Sequence, residues 1–276
     1  MYKKIFFIII LVLGSIYSEF FAQGDLLITP TRIVFEQQKL KEIINLVNTG
    51  ETSETYTVSF VERRMNEDGT FTVITDPDPG QNFAEPHLRI YPRRITLAPG
   101  EGQVVMLQRR RNSTKEIGEY RSHLYFRSTK DYSALGEKTT DSITGVSVQL
   151  TPIYGMTIPV IFRTGNVNAT TTLSDLKLES QKDNNQIKFT LNRDGNSSVY
   201  GDFTVEYFPL KGESTTIAKI AGVAVYTTIK RRFMSINLLK SPLINLKEGS
   251  IKINYKTRPG DKKQVTLAEA TLNLST

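Results

Sequence analysis

Short runs in which apolar and polar residues alternate recur along the chain, each closed by turn-forming residues, and no long stretch keeps apolar residues at helical spacing. Alternation with period two sends successive side chains to opposite faces of an extended strand, so the pattern predicts an all-β protein. In the first part the predicted strands are Leu26 to Phe35, Ile43 to Asn48, the segment carrying Tyr56, Val58 and Phe60, Phe71 to Ile74, Leu88 to Tyr91, Ile95 to Leu97 and Val104 to Leu107. A further strand shows Tyr120, Ser122, Leu124 and Phe126 on one face. Thr49-Gly50, Glu67-Asp68-Gly69 and Ala98-Pro99-Gly100-Glu101-Gly102 read as turns, their glycines being tolerant of positive φ. Asp76-Pro77-Asp78-Pro79-Gly80 reads as a loop, because proline brings no N–H to a ladder.

A polar stretch from Ser128 to Thr144 interrupts this pattern, and the longest alternation in the chain follows it. Val146, Val148, Leu150, Pro152, Tyr154, Met156, Ile158, Val160 and Phe162 share one parity, which gives the segment a defined apolar side. Arg163 to Asn168 is then a short polar junction. Beyond it proline becomes rarer and shorter strands are expected at Leu173 to Leu178, Gln186 to Leu191, Gly201 to Phe208, Ile217 to Val225, Phe233 to Leu238, Ile251 to Tyr255 and Gln264 to Leu274. Roughly seven strands in about a hundred residues is the pattern of an immunoglobulin-like β-sandwich, and the first part has a similar strand count. The expectation is two such domains, at 24–164 and 165–276, behind a leader at 1–23.

The leader is predicted from Lys3 and Lys4, the unbroken apolar run Ile5 to Leu13, and small residues near Ala22 to Gly24. That run is shorter than the roughly 20 apolar residues a membrane span requires, so it predicts export and a mature protein without membrane insertion. The chain contains no cysteine, which excludes disulfides and a lipid-anchored cysteine and leaves stability to the apolar core. Its formal charge of +7, from 35 Lys and Arg against 28 Asp and Glu, is a mild excess that favours acidic partners weakly. No motif for reading nucleic acid accompanies it. The one dense cluster, Arg109-Arg110-Arg111, reads as a solvated strand end.

Catalytic chemistry finds little to use. There are two histidines, His87 and His123, too few for a histidine-based zinc site, and neither a nucleophile elbow nor a phosphate-binding loop is present. Carboxylates are scattered and none is singled out as half of a glycosidase pair. The expectation is a binding protein without enzymatic activity, metal or cofactor.

Three strings in the first part, Thr31-Arg32-Ile33-Val34-Phe35, Asn45-Leu46-Val47-Asn48 and Ile158-Pro159-Val160-Ile161-Phe162-Arg163, resemble in order and spacing the first domain of the periplasmic pilus chaperones of the chaperone/usher type. Arg193-Asp194-Gly195-Asn196-Ser197-Ser198-Val199-Tyr200-Gly201-Asp202 resembles a hairpin of their second domain. The resemblance covers essentially the whole of the chain after the leader. It implies two sandwiches in a boomerang, a periplasmic location, and a chaperone that lends an edge strand to incomplete pilus or fimbrial subunits before assembly at an outer-membrane usher, a form of β-augmentation.

The resemblance also assigns roles. Arg32 falls on the arginine of a basic pair that grips the subunit's terminal carboxylate, with a surface or interdomain salt bridge as its alternative role. The partner lysine of that pair is replaced here by Pro159, which leaves three possibilities: another basic residue, weaker binding, or a different client. Arg163 falls on a residue that supports the interdomain contact. The long alternation, with Pro152 marking an edge, places the donor strand at Val146, Val148, Leu150 and Tyr154, the alternative being that Val148, Leu150 and Tyr154 face the protein's own core. An exposed donor edge also invites self-association. The competing functional reading is a stable cell-surface or fibre component built from the same sandwiches.

Overall fold

The computed structural model describes residues 26–35, 39–110, 116–129, 154–181, 184–239, 244–259 and 264–274. Its first part contains β1 (Leu26–Thr29), β2 (Ile33–Phe35), β3 (Lys41–Asn48), β4 (Glu54–Val61), β5 (Arg63–Met65), β6 (Phe71–Val73), β7 (Leu88–Tyr91), β8 (Arg94–Leu97), β9 (Gly102–Arg109), β10 (Gly118–Ser128) and β11 (Gly155–Thr164). One sheet has the order β1-β3-β9-β7 and the facing sheet β2-β11-β10-β4-β8. Inward residues of alternate parity meet between them: Ile44, Leu46, Val105 and Leu107 from one sheet, Leu124, Phe126, Val160 and Phe162 from the other, all essentially without solvent contact. Asn48 is buried at the end of β3, where its side chain donates to Leu97 O at 2.9 Å and to Thr52 O at 2.8 Å and accepts from Gly50 N at 3.0 Å. Those bonds close the turn expected at Thr49-Gly50.

The second part folds as β12 (Ala169–Gln181), β13 (Asn184–Gly195), β14 (Val199–Phe208), β15 (Thr215–Val225), β16 (Arg231–Asn237), β17 (Gly249–Lys256) and β18 (Thr266–Leu274). A sheet of order β12-β13-β16 faces one of order β15-β14-β17-β18 over a core of Ile187, Leu191, Phe203, Val205, Ile251, Ile253 and Tyr255. The Tyr255 hydroxyl, deep in that core, donates to Val223 O at 2.8 Å, so its burial leaves no lost hydrogen bond. The molecule is thus all-β, built of two immunoglobulin-like sandwiches.

Two expectations are corrected. The strand read as Leu26 to Phe35 is two strands in different sheets: β1 runs antiparallel to β3, whereas β2 runs parallel to β11. Pro30 has no N–H to continue a ladder, and the chain crosses from one sheet to the other there, leaving Thr31 and Arg32 outside both. The strands of the second part are longer than expected, with β12 of 13 residues and β13 of 12. Their ends are built from polar residues such as Thr170, Thr171 and Thr172 of β12 and Asn192, Arg193 and Asp194 of β13, which apolar periodicity does not register.

Candidate functional site

The outward parity of β10 should face water, yet Glu119, Arg121 and His123 are each at most 4 % exposed. The second sandwich covers them, and the seam between the two sandwiches carries two polar clusters. In the first, Glu119 Oε2 accepts hydrogen bonds from Arg163 Nε at 3.0 Å, Ser198 N at 2.9 Å and the Ser198 hydroxyl at 2.8 Å. Arg163 also donates to Ser198 O at 3.3 Å. Ser198 sits in the turn between β13 and β14, which buried Arg193 ties down through the carbonyls of Gly195, Ser197, Thr227 and Ile229. A small apolar cluster that joins Met65 and Ile161 to Ala224 and Tyr226 lies on the same seam.

The second cluster lines a cleft of about 260 Å³ between the sandwiches. The first sandwich contributes Arg32, Arg63, His123 and Pro159, and the second contributes Tyr200, Tyr226 and Arg232. The Arg32 guanidinium lies 4.3 Å over the Tyr200 ring and donates to the Tyr226 hydroxyl at 3.2 Å. Arg121 stacks 3.9 Å from the centre of the Tyr226 ring and donates to Arg63 O at 3.0 Å. Burial, followed by the positive charges of Arg121, Arg63 and Arg32, pushes His123 down to about 3, so its imidazole is neutral at physiological pH. Next to it, burial pushes Glu62 up to about 7, helped by Glu85 and opposed by the Ser122 hydroxyl, which donates to it at 2.5 Å, and by Arg121.

The hairpin of β5 and β6 closes one wall of this cleft. Its tip is fixed by Gly69 N to Asn66 O at 2.9 Å and by Asp68 accepting from Thr70 N at 2.9 Å. From there the hairpin reaches the second sandwich: Phe233 N donates to Glu67 O at 2.7 Å, and Arg231 pairs with the Glu67 carboxylate at 2.7 Å. Gly69 has φ +86°, a backbone conformation that favours glycine, and the Arg232 guanidinium packs directly against it.

Of the residues singled out in the sequence, Arg32 stands in the cleft and Arg163 in the Glu119 cluster. Val146, Val148 and Leu150 lie outside the described residues. Tyr154 is 54 % exposed and Met156 38 %, although both share parity with the buried core residues Ile158, Val160 and Phe162. The apolar row of β11 therefore runs past the end of the protein's own core. On one side β11 pairs with β10 along its whole length, whereas β2 covers only Val160 to Phe162 on the other. Among the described residues, no strand pairs with the second edge from Gly155 to Pro159. That open edge ends beside the cleft, since Thr157 and Pro159 line it.

Sequence reasoning missed Arg63, Arg121, Arg232, Tyr200 and Tyr226. Arg121 and His123 sit at polar positions of an alternating strand, which read as a solvent face until a second domain is laid over it. Arg109, read as part of a solvated strand end, instead lies 4.4 Å over the Phe162 ring as a half-buried lid on the first core; Arg111 is outside the described residues.

No family model and no curated protein matches the chain. Among solved structures it is similar to the YadV chaperone, at 11 % identity and a TM-score of 0.45 over 91 % of this chain and 100 % of that one. It is similar also to the chaperone–tip adhesion subunit complex CsuC–CsuE from the archaic chaperone-usher Csu pili of Acinetobacter baumannii, at 12 % identity and a TM-score of 0.46 over 89 % and 99 %. A third is the Salmonella enterica SafA pilin in complex with the SafB chaperone, at 10 % identity and a TM-score of 0.42 over 91 % and 97 %.

Proposed function

We propose that this protein is a periplasmic chaperone, exported by the leader at 1–23, that holds pilus or fimbrial subunits until an outer-membrane usher receives them. Its working units are the sandwiches at 24–164 and 165–276. The reading is carried by one observation: the edge of β11 from Gly155 to Pro159, unpaired among the described residues, with the apolar row of Tyr154 and Met156 extending beyond the protein's own core. An edge with unpaired backbone groups and protruding alternate side chains is what strand addition to an incomplete sandwich needs. Arg32, in the cleft at the end of that edge, is the group that grips the client's terminal carboxylate, because a guanidinium matches a carboxylate with two parallel hydrogen bonds. The function is binding, and no step of it needs a cofactor.

The test is capture of a small β-sandwich subunit encoded beside this gene, by co-expression and co-purification. Tyr154→Ser combined with Met156→Ser is expected to abolish capture while the melting temperature of the free protein stays within about 2 °C, since both side chains are exposed. Undiminished capture by this double variant, or its global unfolding, would remove the donor role from β11.

A further inference from the structure

We infer that the cleft is an oxyanion site shared between the two sandwiches, in which Arg63 and Arg232 join Arg32 on one ligand and so fix the sandwiches against each other. The inference deepens the chaperone reading by placing Arg32 against the same ligand. Three guanidiniums from three separate elements line the cleft: Arg32 between β1 and β2, Arg63 on β5 and Arg232 on β16. Among the described residues, no carboxylate oxygen lies within 4 Å of any of them, nor of Arg121 beneath the Tyr226 ring. The contrast with neighbouring Arg231, which is paired with Glu67, is local and sharp. Moreover, Nε of Arg63, Nε of Arg232 and one terminal nitrogen of Arg121 are buried with no hydrogen-bond acceptor.

Like charges gathered in a partly desolvated cleft are costly unless an opposite charge joins them. Planar guanidiniums are the side chains best suited to supply paired donors to carboxylate, sulfate or phosphate oxygens. The space, about 260 Å³, holds a small oxyanion together with several waters, a water occupying about 30 Å³. The hairpin explains how the cations converge. β5 carries Arg63, while the tip seats Arg232 against Gly69 and is bonded to β16 through Phe233 N. An oxyanion held by Arg32 and Arg63 on one side and Arg232 on the other therefore bridges the two sandwiches at the point where this hairpin already touches both. Pro159, uncharged on the cleft wall, adds nothing to the grip; Arg63 and Arg232 provide it.

The oxyanion could be the terminal carboxylate of a client chain or a free inorganic anion, and the experiment separates these sources. The full chain is titrated with sodium sulfate against sodium chloride at equal ionic strength, and separately with a short peptide bearing a free or an amidated C-terminus. Binding is read from the melting temperature and from hydrogen exchange at the Phe233 amide. Sulfate also stabilises proteins without binding them, so the decisive quantity is the difference between parent and variants in the same salt. Saturable protection by sulfate is expected to slow Phe233 exchange, and Arg63→Gln and Arg232→Gln are each expected to weaken it about tenfold or more. A peptide that binds only with a free carboxylate identifies the client terminus as the natural source, and one that fails in both forms identifies the free anion. If Arg232→Gln unfolds through loss of its bond to Ala224 O, Arg63→Gln decides. Folded variants that retain the parent's affinity, or protection by sulfate no greater than by chloride, overturn the inference. Clients captured normally by both variants leave the chaperone reading intact without it, while an Arg63- and Arg232-dependent anion site in a protein that captures no subunit does the reverse.

Discussion

The two polar clusters on the seam between the sandwiches are built from the same residue types and end in opposite states. Around Glu119, one carboxylate oxygen collects three donors from Arg163 and Ser198, so the charge is paired, although the other oxygen is buried with no donor among the described residues. Around Tyr226, four arginines and a neutral histidine gather, and among the described residues no carboxylate oxygen lies within 4 Å of those arginines. A buried charge needs partners, so a balanced cluster has completed its work inside the folded chain, whereas an unbalanced one is waiting for something from outside. The difference separates a joint from a site more reliably than burial does, because both clusters are buried to a similar degree.

The largest effect that can break this comparison comes from the joint. Glu119→Gln removes the carboxylate charge at the centre of the first cluster and leaves Arg163 with only its Ser198 contacts. The expected loss of stability is about 2 to 3 kcal/mol, toward the low end for a broken buried pair because Arg163 keeps a third of its surface in water. Urea unfolding measures it, and a loss below about 0.5 kcal/mol would mean that the two sandwiches are held by the apolar contacts of Met65, Ile161, Ala224 and Tyr226 instead.

The cleft should answer with the opposite sign. Arg121→Met keeps a long, unbranched side chain on the Tyr226 ring and deletes a charge whose deprotonation burial already favours. Its bond to Arg63 O is lost, but Gln81 still donates to that oxygen at 3.3 Å. The expected result is a stability equal to the parent or up to about 1 kcal/mol higher, as for apolar replacement of other poorly compensated buried charges. A loss comparable with that of Glu119→Gln would show that the cleft arginines are structural and that the two clusters do not differ in kind.

How far these regions were legible in the sequence follows from the same contrast. All seven strands of the second sandwich were visible in the sequence, because each carries apolar residues into one core, most regularly in β14, where Phe203, Val205 and Tyr207 are buried at every second position. The sheet change at Pro30 was not, since period-two patterning is the same whichever sheet a strand joins. Arg32 and Arg163 were singled out only through family resemblance, and the structure puts one in the cleft and the other in the joint. Arg63 and Arg232 stood in short polar stretches, Glu62-Arg63-Arg64 and Lys230-Arg231-Arg232, which look like any solvated strand end. Their meeting depends on a hairpin crossing from one domain to the other, and local pattern carries no information about that contact.

The smallest expected effect is a change in how stability depends on pH, and it sharpens the comparison because His123 lines the cleft and Glu62 is coupled to Arg121 behind it. His123 packs against Phe71 and Tyr226 and is faced by the charges of Arg121, Arg63 and Arg32. Held at about 3 in the native state against an ordinary 6.5, it binds fewer protons folded than unfolded between those values, so its contribution is lost as pH falls through that window. Glu62, faced by Glu85, Arg121 and the Ser122 hydroxyl, is held at about 7 against an ordinary 4.5. The native state keeps its proton where the unfolded chain has released it, so its contribution is complete below 4.5 and disappears as pH rises through 7. Between pH 4.5 and 6.5 the two slopes oppose each other, and removing either group uncovers the other. Relative to the parent, Glu62→Gln should become progressively more stable as pH rises from 4.5 to 7, and His123→Gln progressively less stable from 4.5 to 6.5. Urea midpoints at half-unit steps of pH, taken as differences from the parent so that distant carboxylates cancel, measure both. A Glu62→Gln difference that is flat across this range would show that Glu62 is ionised in the folded protein, placing a negative charge beside Arg121 and narrowing the contrast between the cleft and the Glu119 joint.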